Sequence, residues 1–128
     1  AWLGHQNPIK NELSALENLD VLGSIRSRND NTLVNALKTV GLGHTKHKLI
    51  KTFSAGMKRR LSLASLLISD CKIWILDEPQ AALDKKGIEL FEQIATDHLN
   101  RNGIIIMTSH HEINIDSSKI KTLKLGEL

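Results

Sequence analysis

Several residue types are scarce in this sequence of 128 residues, and each shortage excludes a class of protein. Aromatic residues make up 3% and Tyr is missing, so the stacking surfaces that bind single-stranded nucleic acid are not expected. The single cysteine, Cys71, cannot form an internal disulfide, so nothing argues for an oxidising compartment. The apolar runs at 73–76 and 104–107 fall far short of the ~20 residues that a membrane-spanning helix needs.

The remaining composition is that of an ordinary globular domain, with 41% hydrophobic and 24% charged residues. Lys and Arg number 17 against 14 Asp and Glu, and the net charge of +3 suits contact with phosphate without requiring nucleic acid. No signal peptide pattern is visible, and the first residue is Ala1 rather than Met. We therefore expect a soluble, cytosolic and incomplete chain of one domain.

In the second half of the chain, segments with apolar residues at helical spacing alternate with short, continuous apolar runs. Strands that are separated by helices pair in parallel, so an α/β fold with a parallel sheet is expected. The predicted helices are 10–27, about 33–40 (closed by Gly41 and Gly43), 57–69 and 86–100, with a turn at 29–31 and a loop at 44–52; the predicted strands are 72–77, 104–108 and an edge strand at 120–125.

Two adjacent carboxylates, Asp77 and Glu78, end the first buried strand, where ligands of open parallel sheets bind. In nucleotide hydrolysis the first carboxylate can hold Mg²⁺ and the second can accept a proton from the attacking water. Taken alone, a buried strand that ends in a solvated acidic turn explains the run equally well.

A possible phosphate-binding helix start follows Ser54, Ala55 and Gly56. A Ser N-cap followed by Gly exposes backbone N–H groups at the positive end of the helix dipole. Taken by itself, such a segment is more often an ordinary N-cap of a basic helix. Three further residues have ordinary explanations when taken singly: Gln6 as a loop residue, Asp84 as a helix cap, and His110 as a surface residue after a strand.

The order and spacing of these features nevertheless resemble the ATP-binding cassette (ABC) ATPase family over nearly the whole chain. Gln6 is similar to the Q-loop, the segment from Ser54 to Gly56 to the signature motif, and Asp77 with Glu78 to Walker B and its glutamate. The D-loop and the switch histidine correspond to Asp84 and His110.

The resemblance implies a partial P-loop NTPase fold, with a helical subdomain and signature helix at about 7–65 and the rest of the catalytic core at about 66–128. It implies ATP and Mg²⁺ as cofactors, a second ATPase subunit in a homodimer, integral membrane subunits and no nucleic acid. Asp77 and Gln6 would hold Mg²⁺ through water, Glu78 would be the general base, and His110 would contact the γ-phosphate. Ser54, Ala55 and Gly56 would bind ATP held by the partner subunit, and Asp84 would communicate across the dimer.

Short stretches at 4–6, 9–10, 12–13, 16–19 and 74–79, and Ala55 in the signature, resemble the haem exporter ATPases of bacterial cytochrome c maturation. This implies a peripheral protein on the cytoplasmic face of the inner membrane.

The chain departs from the family pattern most seriously in lacking Gly-x-x-x-x-Gly-Lys-Ser/Thr, the Walker A segment that binds the β- and γ-phosphates. Met57 and Ala81 are milder departures. We therefore expect the chain to be inactive alone and to have an uncovered apolar sheet face through which it associates.

Two other functions stay open. One is a non-catalytic docking module that offers only its signature face to a partner. The other is a nucleic-acid-associated cassette, which the basic residues Lys58, Arg59 and Arg60 favour slightly and the lack of a broad basic face disfavours.

Overall fold

A computed structural model describes residues 1–25 and 33–126 of the chain. Its sheet has three parallel strands in the order β1–β2–β3, so the predicted parallel α/β arrangement is confirmed. The strands are β1 (Trp2–Leu3), β2 (Ile73–Asp77) and β3 (Ile104–Thr108), and the helices are α1 (Ala15–Ile25), α2 (Leu33–Thr39), α3 (Ala55–Leu67) and α4 (Lys85–Asn100), with 3₁₀ turns at Gly43–Thr45, Ile50–Thr52 and Ser117–Lys119.

Local hydrogen bonds decide where the first two helices begin and end. Helix α1 starts at Ala15 rather than Lys10, because Ser14 Oγ accepts the backbone N–H of Glu17 while the Glu17 carboxylate accepts that of Ser14. Gly41, with a φ of 77°, ends α2 as predicted. The predicted end of the first helix at 27 and the turn at 29–31 lie outside the described residues.

The predicted edge strand at 120–125 is wrong. These residues form no strand, and the side chains that created the apolar alternation point into solvent: Ile120, Leu123 and Leu125 are 44%, 76% and 95% exposed. An alternation of apolar and polar residues forms a strand only where a neighbouring strand pairs with it and a core buries its apolar face. The predicted loop at 44–52 instead contains two short 3₁₀ turns.

The two faces of the sheet differ in cover. Leu3, Trp74 and Leu76 are buried beneath the helices. Their neighbours on the other face form what we call the open face, which confirms the predicted uncovered apolar surface. Its members are about half exposed or more: Trp2 (63%), Ile73 (49%), Ile75 (48%), Ile104 (54%) and Ile106 (58%).

Among the described helices, none has the length and apolar character required to cross a membrane.

Candidate functional site

The carboxyl ends of β2 and β3 meet, and hydrogen bonds between them fix the position of Asp77. The register places Asp77 opposite Thr108. Thr108 Oγ1 donates to Asp77 Oδ1 at 2.6 Å, and the backbone N–H of Glu78 donates to the Thr108 carbonyl at 3.2 Å. The half-buried Asp77 carboxylate is therefore oriented before any ligand binds.

Glu78 follows in a strained conformation and contacts the imidazole of His110. Its φ is 47°, in the left-handed region, which costs a residue other than Gly about 1–2 kcal/mol and is concentrated at functional sites. His110 Nε2 lies 3.1 Å from Glu78 Oε1, and the two side chains are 90% and 18% exposed. They line an open cleft together with His5, Asp77, Ala81, Thr108 and Ser109. The structure thus brings Asp77, Glu78 and His110 together as predicted.

The predicted phosphate-binding segment is the exposed beginning of α3. Ser54 is the N-cap, and its Oγ accepts the backbone N–H of Met57 at 3.2 Å. Ser54 and Ala55 are exposed, whereas a Cβ on Gly56 would lie 3.3 Å from the carbonyl oxygen of Ala82. Gly56 therefore allows close contact with the loop at 79–84 while the positive end of the helix stays open to an anion.

Asp84 links the starts of two helices. It is the N-cap of α4, accepting the backbone N–H of Gly87 at 2.8 Å, and its carboxylate lies 3.1 Å from Arg60 Nη2 on α3. The Gly87 hydrogen bond, followed by Arg60, lowers the pKa of Asp84 below its ordinary value. Asp84 therefore caps α4 and also contacts α3, the helix that begins at the signature-like segment.

Gln6 is exposed in a bend after β1, and the cleft is lined by its neighbour His5 rather than by Gln6. The structure therefore does not bring Gln6 to the carboxylates. In the described part of the chain, no three His, Cys, Asp or Glu side chains are arranged to hold a metal ion by themselves.

Arg59 was missed by the sequence reasoning, which grouped it with Lys58 and Arg60 as a basic surface. It is only 2% exposed, although it carries a charge. The available signal was its helical spacing to Leu63 and Leu66, both fully buried on the same face of α3. Burial lowers the pKa of Arg59, and the nearby Asp77 and Glu78 charges oppose that effect.

The family profile described as "ABC transporter" matches residues 1–81. The chain belongs to the ABC transporter family. Relatives named "Cytochrome c biogenesis ATP-binding export protein CcmA" from Aliivibrio fischeri and Pseudomonas syringae are 40% and 38% identical, each aligned over 98% of the chain. The chain spans 62% and 60% of the length of these two ABC relatives.

Solved structures confirm the predicted ABC fold. A dimeric ATP-binding cassette in a post-hydrolysis state bound to ADP and Pi superposes with a TM-score of 0.74 at 21% identity, over 86% of this chain and 51% of that one. A dimeric bacterial ABC transporter cassette gives a TM-score of 0.71 at 22% identity, over 84% and 50%. The chain therefore has the P-loop NTPase fold of an ABC ATPase, in part.

Proposed function

We propose that this chain is the signature and Walker B part of an ATP-hydrolysing ABC subunit that serves export in cytochrome c biogenesis. The contact of Glu78 with His110 beside Asp77, at one edge of a parallel sheet, is the observation that supports ATP hydrolysis. The similarity to the CcmA relatives over 98% of the chain supports the biological process. In this proposal residues 7–65 form the helical subdomain with the signature helix, and 66–128 belong to the catalytic core.

The oxygen-rich end of β2 fits Mg²⁺, since carboxylates and hydroxyls are the ligands that this ion prefers. Asp77 would hold the ion, with Thr108 fixing the orientation of the carboxylate. When bound, Mg²⁺ neutralises charge on the β- and γ-phosphates. Glu78 accepts the proton of the attacking water. The imidazole of His110, which contacts the Glu78 carboxylate in this structure, lines the cleft and can donate to a phosphate bound there. Gln6 reaches the ion through water only if the bend after β1 moves.

The site needs groups that these 128 residues do not contain. No Gly-x-x-x-x-Gly-Lys-Ser/Thr segment is present, so a Walker A lysine must come from additional sequence. Ser54 and Ala55 are exposed at the start of α3, and Gly56 packs beside Ala82. In this proposal the three residues act on ATP held by a second copy of the subunit in a homodimer, and Asp84 communicates across that dimer. The subunit works on integral membrane partners at the cytoplasmic face of the inner membrane, in an exporter whose cargo is either haem or a haem-loaded chaperone.

Phosphate release by the intact protein that carries this segment tests the proposal. We expect MgATP turnover that is lost in Glu78→Gln while ATP binding is retained. We expect the 128-residue chain alone to show no MgATP binding by calorimetry. Equal turnover in the unchanged protein and in Glu78→Gln would refute the role of Glu78. An intact protein without turnover would instead favour the non-catalytic docking module.

A further inference from the structure

The guanidinium of Arg59 joins helix α3 to the backbone that carries the catalytic carboxylates. Its Nη2 donates to the carbonyl oxygens of Asp77 at 3.0 Å and Glu78 at 2.7 Å, and its Nε donates to that of Pro79 at 3.3 Å. Three successive peptide units at the end of β2 are therefore held by one side chain.

The same side chain reaches the segment that follows β1. Arg59 Nη1 donates to the Gly4 carbonyl oxygen at 3.0 Å and to Asn7 Oδ1 at 3.3 Å. These two acceptors flank His5 and Gln6, and Ser62 Oγ on α3 also donates to Asn7 Oδ1 at 2.9 Å. Arg59 thus ties both segments that border the cleft to one rigid helix.

All these acceptors are backbone carbonyls or a neutral amide, so within the described residues no carboxylate oxygen is a direct hydrogen-bond partner of the buried cation. Buried charges are costly unless they are fully hydrogen-bonded. The shortest bond goes to the carbonyl of Glu78, the residue with the left-handed φ of 47°. A strained conformation persists only where its surroundings hold it. The buried guanidinium therefore stabilises the strained backbone conformation of Glu78.

We propose that Arg59 is a positioning residue for ATP hydrolysis, which holds the Glu78 backbone and couples it to the Gln6 loop and to α3. This inference rests on the proposed function. Because Arg59 acts on the placement of the base, its loss should lower kcat and leave the KM for ATP nearly unchanged. Small misplacements of catalytic groups cost about 100-fold in rate.

The test compares Arg59→Gln and Arg59→Lys with Leu66→Ala in the intact protein. Lysine keeps the charge but has a single nitrogen, which cannot span acceptors in two segments. Leu66 is fully buried and lies about 10.5 Å further along the axis of α3, so its variant controls for lost stability. We expect kcat per folded molecule to fall about 100-fold in Arg59→Gln and at least about 10-fold in Arg59→Lys, with KM within threefold. In Leu66→Ala both constants should stay unchanged below the unfolding temperature.

Turnover within threefold of the unchanged protein in either Arg59 variant would overturn the inference. So would a loss that only follows the folded fraction, as for Leu66→Ala, or a failure of both Arg59 variants to fold. If Glu78→Gln abolishes turnover and the Arg59 variants do not, the proposed function stands and only the positioning role fails. If Glu78→Gln is fully active, the proposed function itself fails.

Discussion

Replacing Gly103 by alanine should displace the ring of His98 from the end of helix α4. A Cβ at position 103 would lie 2.3 Å from His98 Nε2 and 2.4 Å from Cδ2, far inside van der Waals contact. The ring cannot simply lean away, because it stacks on Trp74 with a centroid distance of 3.7 Å and an interplanar angle of 12°. Its Nε2 also lies 3.0 Å from the carbonyl oxygen of Lys72.

The expected loss follows from the two interactions that the ring must give up. A stacked aromatic pair contributes about 0.5–1.5 kcal/mol beyond its buried area. A typical hydrogen bond contributes about 0.5–1.5 kcal/mol net. Gly103→Ala should therefore lower the free energy of unfolding by about 1–3 kcal/mol. Once His98 is replaced by Ala the clash disappears, so the double variant should be hardly less stable than His98→Ala alone.

Urea unfolding followed by the fluorescence of Trp74 measures this directly. The chain has two tryptophans, and Trp2→Phe leaves Trp74 as the sole reporter next to His98. The four proteins (the Trp2→Phe parent, each single variant and the double variant) form a double-mutant cycle. A loss below about 0.5 kcal/mol in Gly103→Ala, or strictly additive losses in the cycle, would refute this account of the packing.

Three shorter predictions concern pH, association and backbone strain. Burial lowers the pKa of His98 from its ordinary 6.5, with the hydrogen bond to Lys72 opposing, so the folded state binds this proton less readily than the unfolded state. The stability that neutral His98 contributes is therefore complete above pH 6.5 and is lost as the pH falls below that value. Between pH 7.5 and pH 5, the melting temperature should decline less steeply in His98→Gln than in the unchanged protein. The isolated chain should self-associate through its open face, and sedimentation should show smaller species for Ile75→Lys with Ile106→Lys; unaltered association in that variant would point to another surface. Ala82 has a φ of 62°, so Ala82→Gly should be neutral or stabilising by under about 1 kcal/mol in thermal unfolding, whereas Ala82→Val should clearly destabilise.

The central strands and α4 could be predicted because their signals are local. The run at 73–76 is apolar and short, and it is followed by Asp77 and Pro79, so its conformation depends little on the rest of the chain. The carboxylates and His110 could likewise be placed at one sheet edge, since parallel strands present their carboxyl ends together. The capping box of Ser14 and Glu17 was also readable, and its use would have placed the start of α1 correctly.

The remaining features depend on tertiary contacts. The alternation at 120–125 has the period of a strand, but no strand in the described residues pairs with it. Arg59 has the composition of a surface residue, and only the carbonyl oxygens that converge from two distant segments make its burial favourable. The left-handed backbone of Glu78 has no sequence signal, since non-Gly residues adopt it only where their surroundings require it.

Helix α3 runs from an exposed surface at Ser54 to the buried backbone behind the cleft, where Arg59 lies. Ser54 at its start and Arg59 five residues on are separated by about 7.5 Å along the axis, on a single rigid segment. Because an α-helix is stiff along its axis, a displacement of α3 would carry Ser54 and the guanidinium together. The peptide of Glu78, hydrogen-bonded to that guanidinium, is thereby mechanically connected to events on the outside of the molecule through one side chain.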